Sequence, residues 1–285
     1  MFPKTFTTAA LFAALVSAHT AVDEVEIGGK SYKGFYGASK AECSSQSPAW
    51  CTNQGWGYQP IMGDAINTPD IIAHKDASPS KFTAKAPAGS TVTFKWHHKG
   101  ECQAGEVGWD CSHHGWTATY LAPCNGDCSK VDKTQLKFFK IHQSSLISYP
   151  EGTRYANAGP KESTGYWGTD EIFYKNGNKQ TVTIPKAIPS GNYVLRTEVA
   201  SIHNNGDVKN RQFWPQAFNI EVTGGSGSSV PEGKLGTELY KSNDELLKWD
   251  LYWHEADKLI EDAPGPKIAA VAITSKRSHA RDFTA

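Results

Sequence analysis

The chain has 285 residues, with 29 Lys+Arg against 29 Asp+Glu and a formal net charge of zero. That balance leaves no basic footprint for nucleic acid or for an anionic membrane surface, and no apolar run is long enough to span a bilayer. Nine Trp and eleven Tyr suit either stacking on carbohydrate or filling a β core, and composition does not separate the two.

The first stretch reads as a secretory signal over residues 1–18. Lys4 supplies the positive end, Ala9 to Val16 the short apolar region, and Val16-Ser17-Ala18 the small residues at a cleavage site. Cleavage after Ala18 makes His19 the first residue of a secreted, extracellular chain. A terminal histidine offers its α-amino group and its imidazole to one metal ion as a chelate, and the amine, with a pKa near ~8, gives up its proton at modest cost. The plain alternative is that histidine happens to come first.

Val22 to Ile27 reads as a first strand, turned by Gly28-Gly29. Residues 31–70, rich in Gly, Ser, Pro and Gln, read as a long irregular region. Thr91 to Trp96 alternates, with Val92, Phe94 and Trp96 on one face. Trp116 to Leu121, Gln135 to Ile141, Thr181 to Ile184 and Asn192 to Ala200 continue the series, and Phe218, Ile220 and Val222 alternate in the last strong strand. Short strands separated by turn signals, with almost no helical periodicity, predict an all-β, immunoglobulin/fibronectin-like antiparallel β-sandwich with long loops. Gly224 to Ser229 has the composition of a linker. The residues beyond it hold one short candidate helix, Asn243 to Trp249, and read as an extension packed back on the sandwich. The expected organisation is one domain over 19–267 and a disordered tail over 268–285.

Six Cys in a secreted chain suggest three disulfides. Fifteen connectivities are possible, and local spacing favours Cys43–Cys51, Cys102–Cys111 and Cys124–Cys128. Two patches carry candidate chemistry. In the first, His97-His98 and His113-His114 flank the Cys102–Cys111 segment, and a loop pinned there could hold an imidazole rigidly. Ordinary surface histidines are the alternative. In the second, His203 closes one strand and Gln212 opens the next, which would place two polar side chains together at the strand ends. Turn capping is the competing explanation.

These residues resemble the fungal lytic polysaccharide monooxygenases of auxiliary-activity family nine, once grouped with the endoglucanases. The matching features are His19-Thr20; Thr68-Pro69-Asp70-Ile71-Ile72 with His74-Lys75-Asp76-Ala77; Ser112-His113-His114-Gly115 with Tyr120-Leu121-Ala122 and Cys124-Asn125-Gly126-Asp127-Cys128; Leu195-Arg196 to His203 with Gln212-Phe213; and Gly236-Thr237 through Leu239-Tyr240-Lys241 to Pro264-Gly265-Pro266. The resemblance implies one copper ion in a histidine brace. His19 would give its amine and a ring nitrogen and His113 a second imidazole, with His114 as the fallback ligand. Nitrogen donors with an open face suit copper in both oxidation states. His203 and Gln212 fall on the outer-sphere pair that steers proton delivery.

The family would then imply oxidative cleavage of a β-linked glucan such as cellulose at C1 or C4. It also implies an external electron donor, oxygen or hydrogen peroxide, and a monomer. The alternative is a copper-binding or glycan-binding protein on the same scaffold without turnover. Three departures bear on this choice. Trp214 stands where the family has an axial tyrosine. Ala73 and Ala217 replace the two cysteines of a long-range disulfide, a loss of ~2–5 kcal/mol unless packing offsets it. Glu261 stands where a surface tyrosine often stacks on cellulose, with Trp253 as a possible substitute. Gly115-Trp116 also replaces the usual Gly-Pro.

Overall fold

The computed structural model describes residues 20–35, 39–52, 59–98, 112–149, 164–204, 207–253 and 259–273. Two sheets face each other. The smaller has the order β10 (Lys179–Thr183), β5 (Thr91–His98), β1 (Thr20–Ile27), β2 (Lys30–Lys33). The larger has the order β13 (Lys234–Leu235), β7 (Lys137–Ser144), β6 (Thr117–Pro123), β11 (Pro189–Ser201), β12 (Gln212–Ser226), β3 (Ile61–Met62). A further strand, β4 (Ala84–Pro87), runs parallel to β12, while the neighbours within both sheets are antiparallel. A two-stranded ribbon of β8 (Leu146–Ser148) and β9 (Tyr166–Trp167) lies beside them. The antiparallel β-sandwich expected from the alternation is the fold that forms.

The alternation sets the layers. Val92, Phe94 and Trp96 of β5 point into the space between the sheets, where they meet Trp214, Phe218, Ile220 and Val222 of β12. Each large apolar side chain sealed there contributes ~1.5–3 kcal/mol relative to exposure. The opposite face of the large sheet is also covered. Phe213 and Ala217 of β12 and Ala118, Tyr120 and Ala122 of β6 pack under Trp50, Ile71, Ile72, Leu239, Tyr240, Leu246 and Leu247. The large sheet is thus buried on both faces, the second by the long loops and the C-terminal extension.

That second layer contains a sealed charged island. Arg196 and Glu198 project from β11 onto the outer face and are fully buried. Arg196 donates to Glu198 Oε2 at 2.7 Å, to the Ile72 carbonyl at 2.9 Å and to the Ile71 carbonyl at 2.9 Å. The Tyr240 hydroxyl donates to the other Glu198 oxygen. Lys140, also fully buried, donates to Gln143 Oε1 and to the carbonyls of Ala263 and Pro264 at 2.8–3.0 Å. Burial pulls its pKa down to about 8. The island locks the extension onto the sheet.

Several expected boundaries shift. The region read as irregular over 31–70 contains β2, a helix α1 (Lys40–Ser45), β3 and the start of a short helix α2 (Asp70–Ala73). The helix expected over Asn243–Trp249 is only a single 3-10 turn, Glu245–Leu247. The supposed linker is largely strand, because β12 runs through Gly224 and Gly225 to Ser226, paired with Pro189. Gly225 is needed there: a methyl group would sit 2.2 Å from the Ile188 carbonyl oxygen. Of the segment expected as a tail, Ile268 bridges Lys140 and Ala270–Ala272 forms a turn, while residues 274–285 lie outside the described residues. Among the described residues no helix is long and apolar enough to cross a membrane.

Cys124 and Cys128 form the expected disulfide. Cys51 is disulfide-bonded, but the Cys43 side chain lies outside the described residues, as do Cys102 and Cys111.

Candidate metal centre

Strand ends assemble the site. β11 ends at Ser201 and β12 begins at Gln212, and these two residues are paired across the sheet. Two residues beyond the end of β11, His203 places Nδ1 at 2.7 Å from the Ser201 hydroxyl. His113 arrives from the segment before β6, and its ring stacks on His203 with centroids 3.7 Å apart. Trp214, fully buried, holds its ring 6.3 Å from His113. The structure therefore brings together four of the expected residues: His113, His203, Gln212 and Trp214. His113 keeps 7% of its surface exposed, enough for contact with the outside but too little for a freely rotating side chain.

The backbone under His113 is fastened on two sides. The His114 carbonyl accepts from Ile202 N–H and the Trp116 carbonyl from Ala200 N–H, both at 2.9 Å. On the other side Gly115 N–H donates to Thr169 Oγ1 at 3.0 Å, and the Thr169 hydroxyl lies within 3.3 Å of the His113 and Gly115 carbonyls. A glycine is required at 115, because a methyl group would meet the Ala200 carbonyl oxygen at 2.0 Å.

His114 has a different environment. Its Nδ1 lies 3.0 and 2.9 Å from the two oxygens of Asp170, and both side chains are almost completely buried. Asp170 also accepts from Trp167 N–H at 2.8 Å. Two neighbouring imidazoles thus have separate settings: His113 on its stacked partner at the strand ends, His114 in a buried carboxylate pair.

His19 lies outside the described residues. Thr20, which follows it, is fully buried and paired with His98 at the end of β5. Its hydroxyl donates to the His97 carbonyl. Val22 N–H donates to Gln216 Oε1 at 2.7 Å, which ties the start of β1 to the first part of β12, the strand that opens with Gln212 and Trp214. Among the described residues, no three His, Cys, Asp or Glu side chains converge on one point. A nitrogen donor such as the His113 imidazole suits copper or zinc.

Sequence reasoning missed the supports. Thr169 and Asp170 sit in an unremarkable Gly-Thr-Asp turn, and Gln216 in the middle of a strand. Nothing local ties them to the histidines; only a buried polar side chain on a core-facing strand position hinted at Gln216. On the surrounding surface Trp253 is 65% exposed, and Glu261 is exposed too.

A family model described as "Auxiliary Activity family 9 (formerly GH61)" matches residues 19–258. AA9 family lytic polysaccharide monooxygenase B of Aspergillus fumigatus is 41% identical, over 84% of this chain and 87% of that protein. AA9 family lytic polysaccharide monooxygenase A of Malbranchea cinnamomea is 40% identical, over 86% of this chain and 66% of that longer protein. Among solved structures, the extended catalytic domain of LPMO9A from H. jecorina superposes with a TM-score of 0.71 at 34% identity, covering 88% of this chain and 91% of that one.

Proposed function

This chain belongs to Auxiliary Activity family 9, and from that premise we propose a secreted, copper-dependent monooxygenase that cleaves β-linked glucan at C1 or C4. The observation that carries the proposal is the stacked pair His113–His203 at the mouth of β11 and β12, beside fully buried Trp214.

His113 Nδ1 lies 3.2 Å from the Ser112 hydroxyl, so Nε2 is the nitrogen that would meet the metal. His19 would give its amine and a ring nitrogen. His113, and not His114, is the assigned ligand, because the Asp170 pair already fixes His114 inside the fold. Copper held by these nitrogens would supply one-electron chemistry toward oxygen or hydrogen peroxide, with electrons from an external reductant.

The other residues act by position and by proton. His203, oriented by Ser201, and Gln212, opposite Ser201, would hold and deliver a proton beside the metal. Trp214, fully buried beside His113, would bring a flat apolar wall and no oxygen donor to a bound copper. Hydrolysis by a carboxylate pair is not part of this account. The signal expected over residues 1–18 supports secretion.

A second reading, copper or glycan binding without turnover, is favoured by Trp214 in place of the family's tyrosine and by Glu261 in place of a stacking tyrosine. Mass spectrometry of soluble products separates the two. The experiment uses copper-loaded protein with a verified His19 terminus, amorphous cellulose and a reductant, with a no-reductant control. Oxidised cello-oligosaccharides that require the reductant establish turnover. Tight copper binding with no oxidised product on cellulose or on other β-glucans establishes the binder.

A further inference from the structure

Arg211 precedes Gln212 and has no place in the account above, yet it is completely buried. Its guanidinium contacts four main-chain carbonyls. Nη1 donates to Ile202 O at 2.5 Å and to Asn204 O at 2.8 Å, the carbonyls on either side of His203. Nε donates to Leu247 O at 3.0 Å and Nη2 to Trp249 O at 2.7 Å. Two segments distant in sequence, the His203 turn and residues 247–249, are therefore held by the two ends of one planar group.

The second segment leads to the surface. Asp250 Oδ1 accepts from Tyr252 N–H at 3.1 Å and from Trp253 N–H at 3.0 Å, which fixes the turn that presents Trp253 with 65% of its surface exposed. Burial disfavours the Arg211 charge, and the nearby Asp250 carboxylate opposes that effect. Only a guanidinium has enough donors, in a rigid fork, to satisfy carbonyls on both sides at once; an ammonium on a flexible stem has three and no plane.

We propose that Arg211 is a positioning residue that makes the His203 turn and the Trp253 turn one mechanical unit, so that the proton-delivering histidine keeps its register with the face that meets the substrate. This rests on the role given to His203 and on exposed Trp253, the expected stand-in for the family's stacking tyrosine, meeting the glucan. Arg211 makes no direct bond to His113: that residue is held by Thr169 and meets the clamped turn through its stack on His203 and the Ile202 N–H bond to the His114 carbonyl.

The test uses Arg211→Lys and Arg211→Gln in the full mature protein, each compared with the parent by hydrogen exchange and by turnover on amorphous cellulose. The proposal expects residues 202–204 and 247–253 to lose protection together, with residues 113–117 unchanged. It expects kcat/KM to fall by about tenfold or more, as misplacement of a catalytic group does, with the loss carried by kcat rather than KM and copper affinity close to the parent's. The lysine variant should recover part of each loss. Loss of protection in one segment alone, or an activity loss that simply follows the melting temperature and is not rescued by lysine, overturns it. If the glutamine variant does not fold, the lysine variant decides by the same criteria. Should the parent itself give no oxidised product, the proposed function fails, while the paired exchange result still decides whether the two turns are coupled.

Discussion

The strands β6, β11 and β12 carry two polar regions whose construction differs. On the outer face, Arg196, Glu198, Tyr240 and Lys140 form an island of charges with no exposure to solvent beyond 1%, and each charge is met by another or by carbonyls. At the strand ends, His203 and Gln212 are partly exposed, His113 keeps 7% of its surface, and the two imidazoles are stacked ring on ring. Charges can be sealed where every partner is fixed, because an unmatched one would cost several kcal/mol. Groups that must bind and release ligands sit where solvent reaches them. The island should therefore govern stability and the strand ends chemistry, with little exchange between them.

The sharpest way to break this separation is His113→Ala, which should abolish tight copper binding while shifting the melting temperature by only a few degrees. Calorimetric copper titration checks it. Retained copper affinity, with His114 intact, would move the ligand to His114 and blur the contrast between the two histidines.

Glu198→Ala is the converse. It strands Arg196 in the core and should cost about 3–5 kcal/mol in denaturant unfolding, yet leave copper affinity unchanged, since separate sites without shared partners are nearly additive. A weaker copper site in this variant would show that the two regions are coupled.

The junction of α2 with β12 sharpens the stability side. Ala73 and Ala217 are both fully buried in the outer layer, and Arg196, which pairs with Ala217 across the sheet, bonds to the carbonyls of α2. The double variant Ala73→Cys/Ala217→Cys should form a disulfide and gain about 2–4 kcal/mol, seen as a rise of several degrees in melting temperature. Free thiols in the purified oxidised protein would show that alanine packing has closed the gap.

A smaller effect concerns His74, buried at the end of α2 with a backbone φ of 81°. Lys75 N–H donates to its Nδ1 and its Nε2 lies 2.7 Å from the Gln59 carbonyl, so the neutral ring is the one that fits. Burial draws its pKa from the ordinary 6.5 to about 4. Between those values the unfolded chain holds a proton that the folded chain does not, so stability is full above about 6.5 and is lost as pH falls toward about 4. His74→Asn, which keeps a short polar side chain suited to positive φ, should flatten that acid slope by about 1–3 kcal/mol. His142, lowered to about 4 by burial, retains a residual slope of the same sign. An unchanged slope in His74→Asn would place the acid sensitivity elsewhere.

The two regions also differ in how far they could be read from the chain. Val92, Phe94 and Trp96, and Phe218, Ile220 and Val222, announce their strands because one face meets a core. Glycine hid the end of β12: Gly224 and Gly225 look like a linker, but the strand continues to Ser226 by pairing with β11, and Gly225 lets Ile188 approach closely. The helix expected at Asn243–Trp249 is one 3-10 turn, followed by carbonyls 247 and 249 that accept from Arg211. His203 and Gln212 could be placed together in advance at strand ends, but their roles, the choice of His113 within its histidine patch and the place of Trp214 come from the family resemblance. Thr169, Asp170, Gln216 and Arg211 could not be placed, since their partners are fixed by tertiary contacts that leave no local pattern.

The central claim is that the strand ends, completed by a histidine at the chain terminus, form the copper site. Copper titration of the protein beginning at His19, against the same protein carrying one extra residue before it, tests that claim most directly. The account predicts one tightly bound copper in the first and a large loss of affinity in the second, because the extra residue removes the chelating amine from His19. Equal affinity in both would contradict it.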